Sequence, residues 1–178
     1  ELFTRLLRRT IILSEKHFNN FEDELAYDRD YLQMIKLRFG DRFQYDIEGA
    51  ETIPRNLPFP SMLLQPILEN ATIHGLAPEG ISRLNLRFSW VEKKLRCVIS
   101  DNGMGYLASM ARHGTRAVEH KSKGLELLRK KVVAFNQLYN IGLRLELSDL
   151  SESTLPGTGT LVLIEFYPHD LINSRTNS

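Results

Sequence analysis

The sequence predicts an α/β sandwich of two layers, a mixed β-sheet with helices packed on one of its faces. Three observations carry that expectation. Apolar residues alternate with polar ones at Phe43, Tyr45 and Ile47, at Leu84, Leu86, Phe88 and Trp90, at Leu95, Cys97 and Ile99, and at Leu143, Leu145 and Leu147. That is the two-residue period of a half-buried strand. Apolar residues recur at three and four instead in a stripe through Leu25, Leu32, Ile35 and Phe39, another through Leu64, Ile67, Leu68 and Ala71, and a third through Leu125, Leu128, Val132, Phe135 and Tyr139. That spacing gives helices with one buried face. Leu161 to Phe166 is apolar apart from Glu165, and reads as a strand buried on both faces.

In chain order, Leu2, Leu6, Leu7 and Ile11 have helical spacing and read as the end of a helix that begins upstream. His17 reads as a surface histidine. Asn20 followed by Asp23 predicts a helix start, with Tyr31 and Met34 widening the apolar stripe until Gly40 stops it. After the first strand, Pro54, Pro58 and Pro60 predict a stiff connection into a central helix over Leu63 to Gly75. Pro66 lies early in that helix, at the cost of one backbone bond or a kink. Beyond a loop to Gly80, two strands meet at a hairpin turn at Glu92 and Lys93. The second runs straight into Asp101-Asn102-Gly103-Met104-Gly105. Residues 106–123 are polar and basic with no sustained period, the mark of a long loop that is either a functional lid or disordered. Gly124 is expected to open the last helix, and the tail from Leu171 to fray.

Length and composition narrow the class. The 178 residues fit one domain with an extra terminal element, and 42% hydrophobic with 25% charged residues is ordinary for a globular chain. A net charge of +1 gives no argument for nucleic acid or an anionic membrane. The single cysteine, Cys97, excludes an internal disulfide and reads as a core thiol of a reducing compartment. No apolar run approaches the ~18 residues of a membrane helix, and no signal peptide heads the chain. Starting at Glu1, the chain reads as a piece of something longer.

Three stretches carry chemistry. On the central helix, Asn70 and His74 stand one turn apart and Glu69 adjoins Asn70. Polar groups at the edge of a buried helix need partners. Hydrogen bonding within a core is one; the other is a magnesium ion carried in by a nucleotide, since magnesium takes only one or two protein oxygens beside phosphates and water. Next, Asp101 ends a strand before two glycines that let the backbone approach a ligand. Its carboxylate suits the exocyclic amine of adenine, although Asp-Asn-Gly also builds ordinary turns. Last, the basic stretch ending at Gly124 suits phosphate at a helix start, or is a solvated loop, and Gly157-Thr158-Gly159-Thr160 marks a close backbone approach or a simple turn.

Taken in this order, the residues resemble the ATP-binding domain of sensor histidine kinases of LytS type, in the GHKL superfamily with its Bergerat fold. Leu64-Gln65-Pro66-Ile67-Leu68-Glu69-Asn70-Ala71 with His74-Gly75 is similar to the N box, Asp101 to Gly105 to the first glycine box, Gly124-Leu125 to the end of the second, and Gly159-Thr160 to the closing Gly-Thr. Glu24-Leu25, Tyr31-Leu32 and Lys36-Leu37-Arg38-Phe39-Gly40-Asp41-Arg42 resemble the LytS-type lead-in. The resemblance covers about residues 20 to 168. It implies a kinase that uses ATP and magnesium. Asn70 would bind the metal and Asp101 would read adenine, with His74, Gly103, Gly105, Gly124, Leu125, Gly159 and Thr160 around the nucleotide. Glu69 would orient or deprotonate the attacking imidazole. Ile73 stands where the family often has a phosphate-binding lysine, and Ser122 where it has a glycine, so Lys121 or Lys123 is assigned the missing charge. The family's acceptor histidine is absent from the chain and is expected upstream.

The implied division is residues 1–20 as the end of the dimerisation helix, 21–170 as the catalytic domain and 171–178 as a disordered tail. The implied partners are the dimerisation and phosphotransfer domain of the same protein, a response regulator, and a second copy in a full-length homodimer. No nucleic-acid partner is implied. The domain is expected in the cytoplasm, within a protein anchored to the inner membrane. Two other readings share these residues: a non-catalytic nucleotide-binding module, and a water-activating GHKL ATPase with Glu69 as base.

Overall fold

Leu6 and Leu13 are buried on one side of the first helix, α1 (Leu2–Ser14), while Phe3, Leu7 and Ile11 stay exposed on another. The computed structural model describes residues 1–74, 80–105, 115–152 and 158–168. In it α1 packs against α2 (Phe21–Phe39) in the opposite sense. Arg5 donates two hydrogen bonds to Asp30 near one end, at 2.8 and 2.5 Å. Near the other, Asn19 bridges the Leu13 carbonyl and Glu24. The helix α2 starts where Asn20 and Asp23 predict, but by another device. The Asn20 side chain makes no capping bond. Instead the first free amides, of Phe21 and Glu22, donate to the carbonyls of Leu57 and Arg55. Gly40 ends the helix at φ 58°, returning its amide to Lys36.

Five strands form the main sheet: β2 (Phe43–Glu48), β4 (Ser82–Val91), β5 (Lys94–Asp101), β6 (Arg144–Asp149) and β7 (Thr160–Phe166), in the order β2-β4-β5-β7-β6. Only β2 and β4 run parallel; the other neighbours are antiparallel. Glu92 and Lys93 turn the β4–β5 hairpin with φ of 52° and 61°, as a primed two-residue turn requires. Phe43, Leu84, Leu86, Phe88, Leu95, Cys97 and Ile99 point into the core.

Four expectations are corrected. First, β7 is buried on one face only. Val162, Ile164 and Phe166 face the core, whereas Leu161, Leu163 and Glu165 are half-exposed on the open face of the sheet. Second, the proline connection carries a short strand, β3 (Pro58–Pro60), paired antiparallel with β1 (Phe18–Asn20). Three residues are too few to show a period, and prolines are tolerated on such an edge pair. That pair also crosses the boundary expected at residue 20.

Third, the central helix is short. It consists of α3 (Gln65–Glu69), with Pro66 harmless in its first turn, followed by a π-helical turn over Asn70–His74. Fourth, Gly124 does not open the last helix. That helix, α4 (Thr115–Tyr139), begins well before it, so residues 115–123 of the expected loop are helical. Leu125, Leu128 and Phe135 bury its inner face. The remaining loop, residues 106–114, and the tail from 171 lie outside the described residues.

One polar knot is set into this apolar interior. Glu24, 2% exposed, accepts hydrogen bonds from Asn19 Nδ2 at 2.7 Å and from the Met62 amide at 2.9 Å. Burial pushes its carboxyl up to about 7, against the pull of those two bonds and of Lys131; Asp23 pushes the same way as burial. Asp28, one turn on, is also buried and raised well above the carboxylate range by burial and by Glu24. A carboxyl raised from 4.5 to about 7 favours folding fully below its unfolded pKa, and that contribution is lost as pH rises through the folded value. Wild-type stability relative to Glu24→Gln, measured by chemical unfolding, should therefore fall by about 1–3 kcal/mol between about pH 5 and about pH 8. A difference independent of pH would show that Glu24 titrates as an ordinary carboxylate.

Candidate functional site

The end of β5 is built around Asp101. Its side chain is tucked back against the strand end, 8% exposed. Its Oδ1 accepts the Gly103 amide at 2.9 Å and the Thr160 amide at 3.2 Å. The first bond is a local Asx-type turn, which is what Asp-Asn-Gly favours. The second reaches across to the first residue of β7 and locks the carboxylate in place. Gly159 makes that reach possible. A Cβ there would fall 1.8 Å from the Asp101 carbonyl oxygen, and its φ is 131°, so only glycine fits. Gly105, at φ 85°, lies close to the Gly159 carbonyl and to the Asp149 carboxylate. Asp101, Gly103 and Gly105, and Gly159 and Thr160, separated in sequence by α4 and β6, therefore converge at one end of the sheet.

The sequence reading passed over two residues of this corner. Asn102 uses both ends of its amide, accepting from the Arg83 amide at 2.6 Å and donating to the Ile81 carbonyl at 2.9 Å. It staples the end of β5 to the start of β4. The Asp-Asn-Gly run was a signal for it, since asparagine bonds backbone readily. Asp149, beside Gly105, ends β6 and had no local signal.

The other half of the predicted site lies on α3 and the π-turn. Asn70 is half-buried, and its Nδ2 has no hydrogen-bond partner among the described residues despite being closed to solvent. A buried amide without a partner is costly. Turning that amide over exchanges donor for acceptor, so it offers either to a ligand. The π-turn, a wider coil common at functional sites, carries it. Glu69 accepts Gln65 Nε2 at 2.8 Å, and its charge is felt by Tyr27 and Tyr31 of α2. Ile73 is 61% exposed.

The side chains of His74, Lys121 and Lys123, together with Gly157, lie outside the described residues. Gly124 and Leu125 are interior to α4, where Leu125 is a buried core residue and Gly124 has open space around it. The Gly124 amide is therefore not one of the free amides at a helix start.

These two glycines should respond in opposite directions to the same change. Gly159→Ala forces β7 off the Asp101 carbonyl and should destabilise the fold by about 2 kcal/mol or more. Gly124→Ala fills open space in a helix and should stabilise it by up to about 1 kcal/mol. Urea unfolding of both variants checks the pair; a neutral Gly159→Ala would refute the close approach.

No protein-family model matches the chain. In sequence it is similar to an uncharacterised sensor-like histidine kinase of Staphylococcus epidermidis, 29% identical over 112 residues, which is 63% of this chain and 22% of that one. It is also similar to the sensor protein kinase HptS of Staphylococcus aureus, 26% identical over 132 residues, 74% of this chain and 24% of the relative. The chain thus spans less than a quarter of the length of these relatives.

In fold it is similar to the histidine kinase domain of a blue-light-activated kinase of Erythrobacter litoralis, with a TM-score of 0.55, 17% identity and coverage of 94% of this chain and 75% of that domain. The nucleotide-free catalytic domain of the histidine kinase ThkA matches with a TM-score of 0.51 at 11% identity, over 85% of this chain and 96% of that domain. The five-stranded mixed sheet with helices on one face is the architecture of histidine kinase catalytic domains, and in sequence the chain is similar to sensor histidine kinases.

Proposed function

We propose that the chain is the ATP-binding domain of a LytS-type sensor histidine kinase. It would move the γ-phosphoryl group of ATP to a histidine outside residues 1–178, and thence to a response regulator. The observation that carries this reading is the locked Asp101 carboxylate, held by the Gly103 and Thr160 amides beneath a glycine that no other residue can replace. A carboxylate fixed this way selects a base that offers an amine, as adenine does and guanine does not at that position. Asn70, with its unpartnered amide, would hold magnesium, which supplies charge neutralisation at the phosphates. Among the described residues no group of three or more acidic, histidine or cysteine side chains is arranged to hold a metal alone.

In the transfer a bond forms between the acceptor imidazole nitrogen and the γ-phosphorus as the bond to the ADP oxygen breaks. The protein's task in such a step is positioning and charge placement. Glu69 beside Asn70 would orient the imidazole, and Lys121 or Lys123 would supply positive charge in place of Ile73. The exposed stripe of Phe3, Leu7 and Ile11 supports α1 as the end of a dimerisation helix in a homodimer. Among the described residues no helix is long and apolar enough to cross a membrane. An anchor to the inner membrane would belong to other parts of the full-length protein, with this domain in the cytoplasm.

One observation favours a second reading. Ile73 is exposed where a phosphate-binding cation is expected, which suits a module that binds nucleotide and never transfers phosphate.

Calorimetry with ATP and GTP, with and without magnesium, tests the site. Asn70→Ala should abolish the magnesium-dependent part of ATP affinity. Asp101→Ala should cost about 1–3 kcal/mol of ATP binding and narrow the preference over GTP. Equal affinity of the wild type for ATP and GTP would overturn the role of Asp101. To separate the two readings, the chain is mixed with its full-length parent carrying a disabled ATP site, and radiolabel is followed from γ-labelled ATP. Slow labelling of the parent's histidine is expected; tight ATP binding with no label from an intact full-length protein would establish the non-catalytic module.

A further inference from the structure

Neither of the buried polar side chains that α2 turns toward α3 is used by the reaction described above. Glu24 and Tyr31 are two turns apart on α2, both buried. Glu24 Oε2 accepts the amide of Met62 at 2.9 Å. Met62 stands just before Leu63 and Leu64, which lead into α3, and its φ of 48° is uncommon for a residue with a side chain. Leu64 in turn accepts the amides of Ile67 and Leu68. At the far end, Tyr31 Oη lies 2.7 Å from Thr72 Oγ1 inside the π-turn. Thr72 already donates to the Leu68 carbonyl at 2.8 Å, so Tyr31 is the donor in this pair. The segment carrying Asn70 is thus gripped at both ends by one helix. A carboxylate grips its strained entry and a phenol grips its widened exit.

We propose that Glu24 and Tyr31 are positioning residues for the metal-bound nucleotide, holding α3 and the π-turn so that the Asn70 amide faces its ligand. This rests on the reading of Asn70 given above and explains why the Glu24 and Tyr31 lead-in accompanies the N-box pattern in this chain. The same knot joins the grip to α1. Asn19 donates to both Glu24 and the Leu13 carbonyl, Ser61 Oγ donates to Leu13 at 2.6 Å, and Lys131 of α4 donates to the Ser61 carbonyl. A displacement of the end of α1 therefore reaches the start of α3 through bonded groups.

Tyr31→Phe removes one hydroxyl and leaves Thr72 its bond to Leu68, so it is the mild test, with Glu24→Gln as the second. ATP affinity of the whole chain is measured with and without magnesium, in the wild-type and Asn70→Ala backgrounds, beside thermal unfolding. Each variant should weaken magnesium-ATP binding about fivefold, the worth of one hydrogen bond. Magnesium-free binding should stay within about twofold, and neither variant should have a further effect once Asn70 is alanine. Equal weakening with and without magnesium, an undiminished effect in the Asn70→Ala background, or no effect at all would overturn the proposal. A wild type that binds ATP equally well with and without magnesium would remove Asn70 from the metal, and the site reading would fall with it.

Discussion

The close approach of Gly159 to the Asp101 carbonyl is the constraint on which the corner at the end of β5 depends. Strands β5 and β7 pair from Leu95 with Phe166 to Ser100 with Leu161, and continuing that pairing brings the start of β7 onto the end of β5. Any Cβ at Gly159 would overlap the Asp101 carbonyl, so the approach exists only because a side chain is missing. That proximity lets the Thr160 amide reach Asp101 Oδ1 and lets Gly105 lie close to Asp149. The result is a carboxylate fixed by backbone donors, whose direction does not change with a rotamer of a neighbour. If Asp101 reads a base as proposed, that rigidity sharpens the choice, because a wrong base would leave a fixed acceptor unpaired at full cost.

How much of this was legible in the sequence depended on range. The strands at Phe43, Leu84, Leu95 and Leu143, and the inner faces of α2 and α4, are periodic over enough residues to show themselves, and they are where the periods place them. The pairing of Phe18–Asn20 with Pro58–Pro60 is too short for a period, and it is set by contacts across the chain. Residues 115–123 are polar and basic, so they lack the apolar stripe that would mark a helix, yet they belong to α4. Leu161 and Leu163 read as doubly buried because nothing local says that one face of the sheet is left uncovered. Asp101, Gly103, Gly105 and Gly159 stand out in short local runs, and the structure brings them to one end of the sheet. Asn102 had only the Asp-Asn-Gly run as a signal and Asp149 had none, since their contacts arise from residues brought beside them by the sheet.

The helix α2 combines an apolar face with buried polar positions. Its apolar residues, Leu25, Leu32 and Ile35, are buried as their spacing predicts. Interleaved on buried positions are Glu24, Tyr27, Asp28 and Tyr31, which a pure core would not contain. Desolvating a carboxyl is unfavourable, and Glu24 recovers part of that loss through Asn19 and Met62. What the fold gains is directional: an apolar side chain would pack equally well over a range of offsets, whereas an accepted amide hydrogen bond fixes the Met62 backbone to one position. Apolar burial holds α3 to the core, and the polar grips set where along the core it sits.

Among the described residues two buried polar atoms have no partner, and chemistry separates them. One is Asp28 Oδ2, in a side chain only 2% exposed beside Glu24. Burial and the Glu24 charge raise that carboxyl well above the usual range, which favours its neutral form and eases the cost of the missing partner. The other is Asn70 Nδ2. An amide has no proton to gain, so its loss cannot be relieved by titration. Under the reading proposed for Asn70, an incoming ligand would relieve it. A half-buried amide at the edge of a π-turn, with its helix held at both ends by α2, is kept in an unsatisfied state by the surrounding structure, which is the condition for a binding group to be ready before its ligand comes.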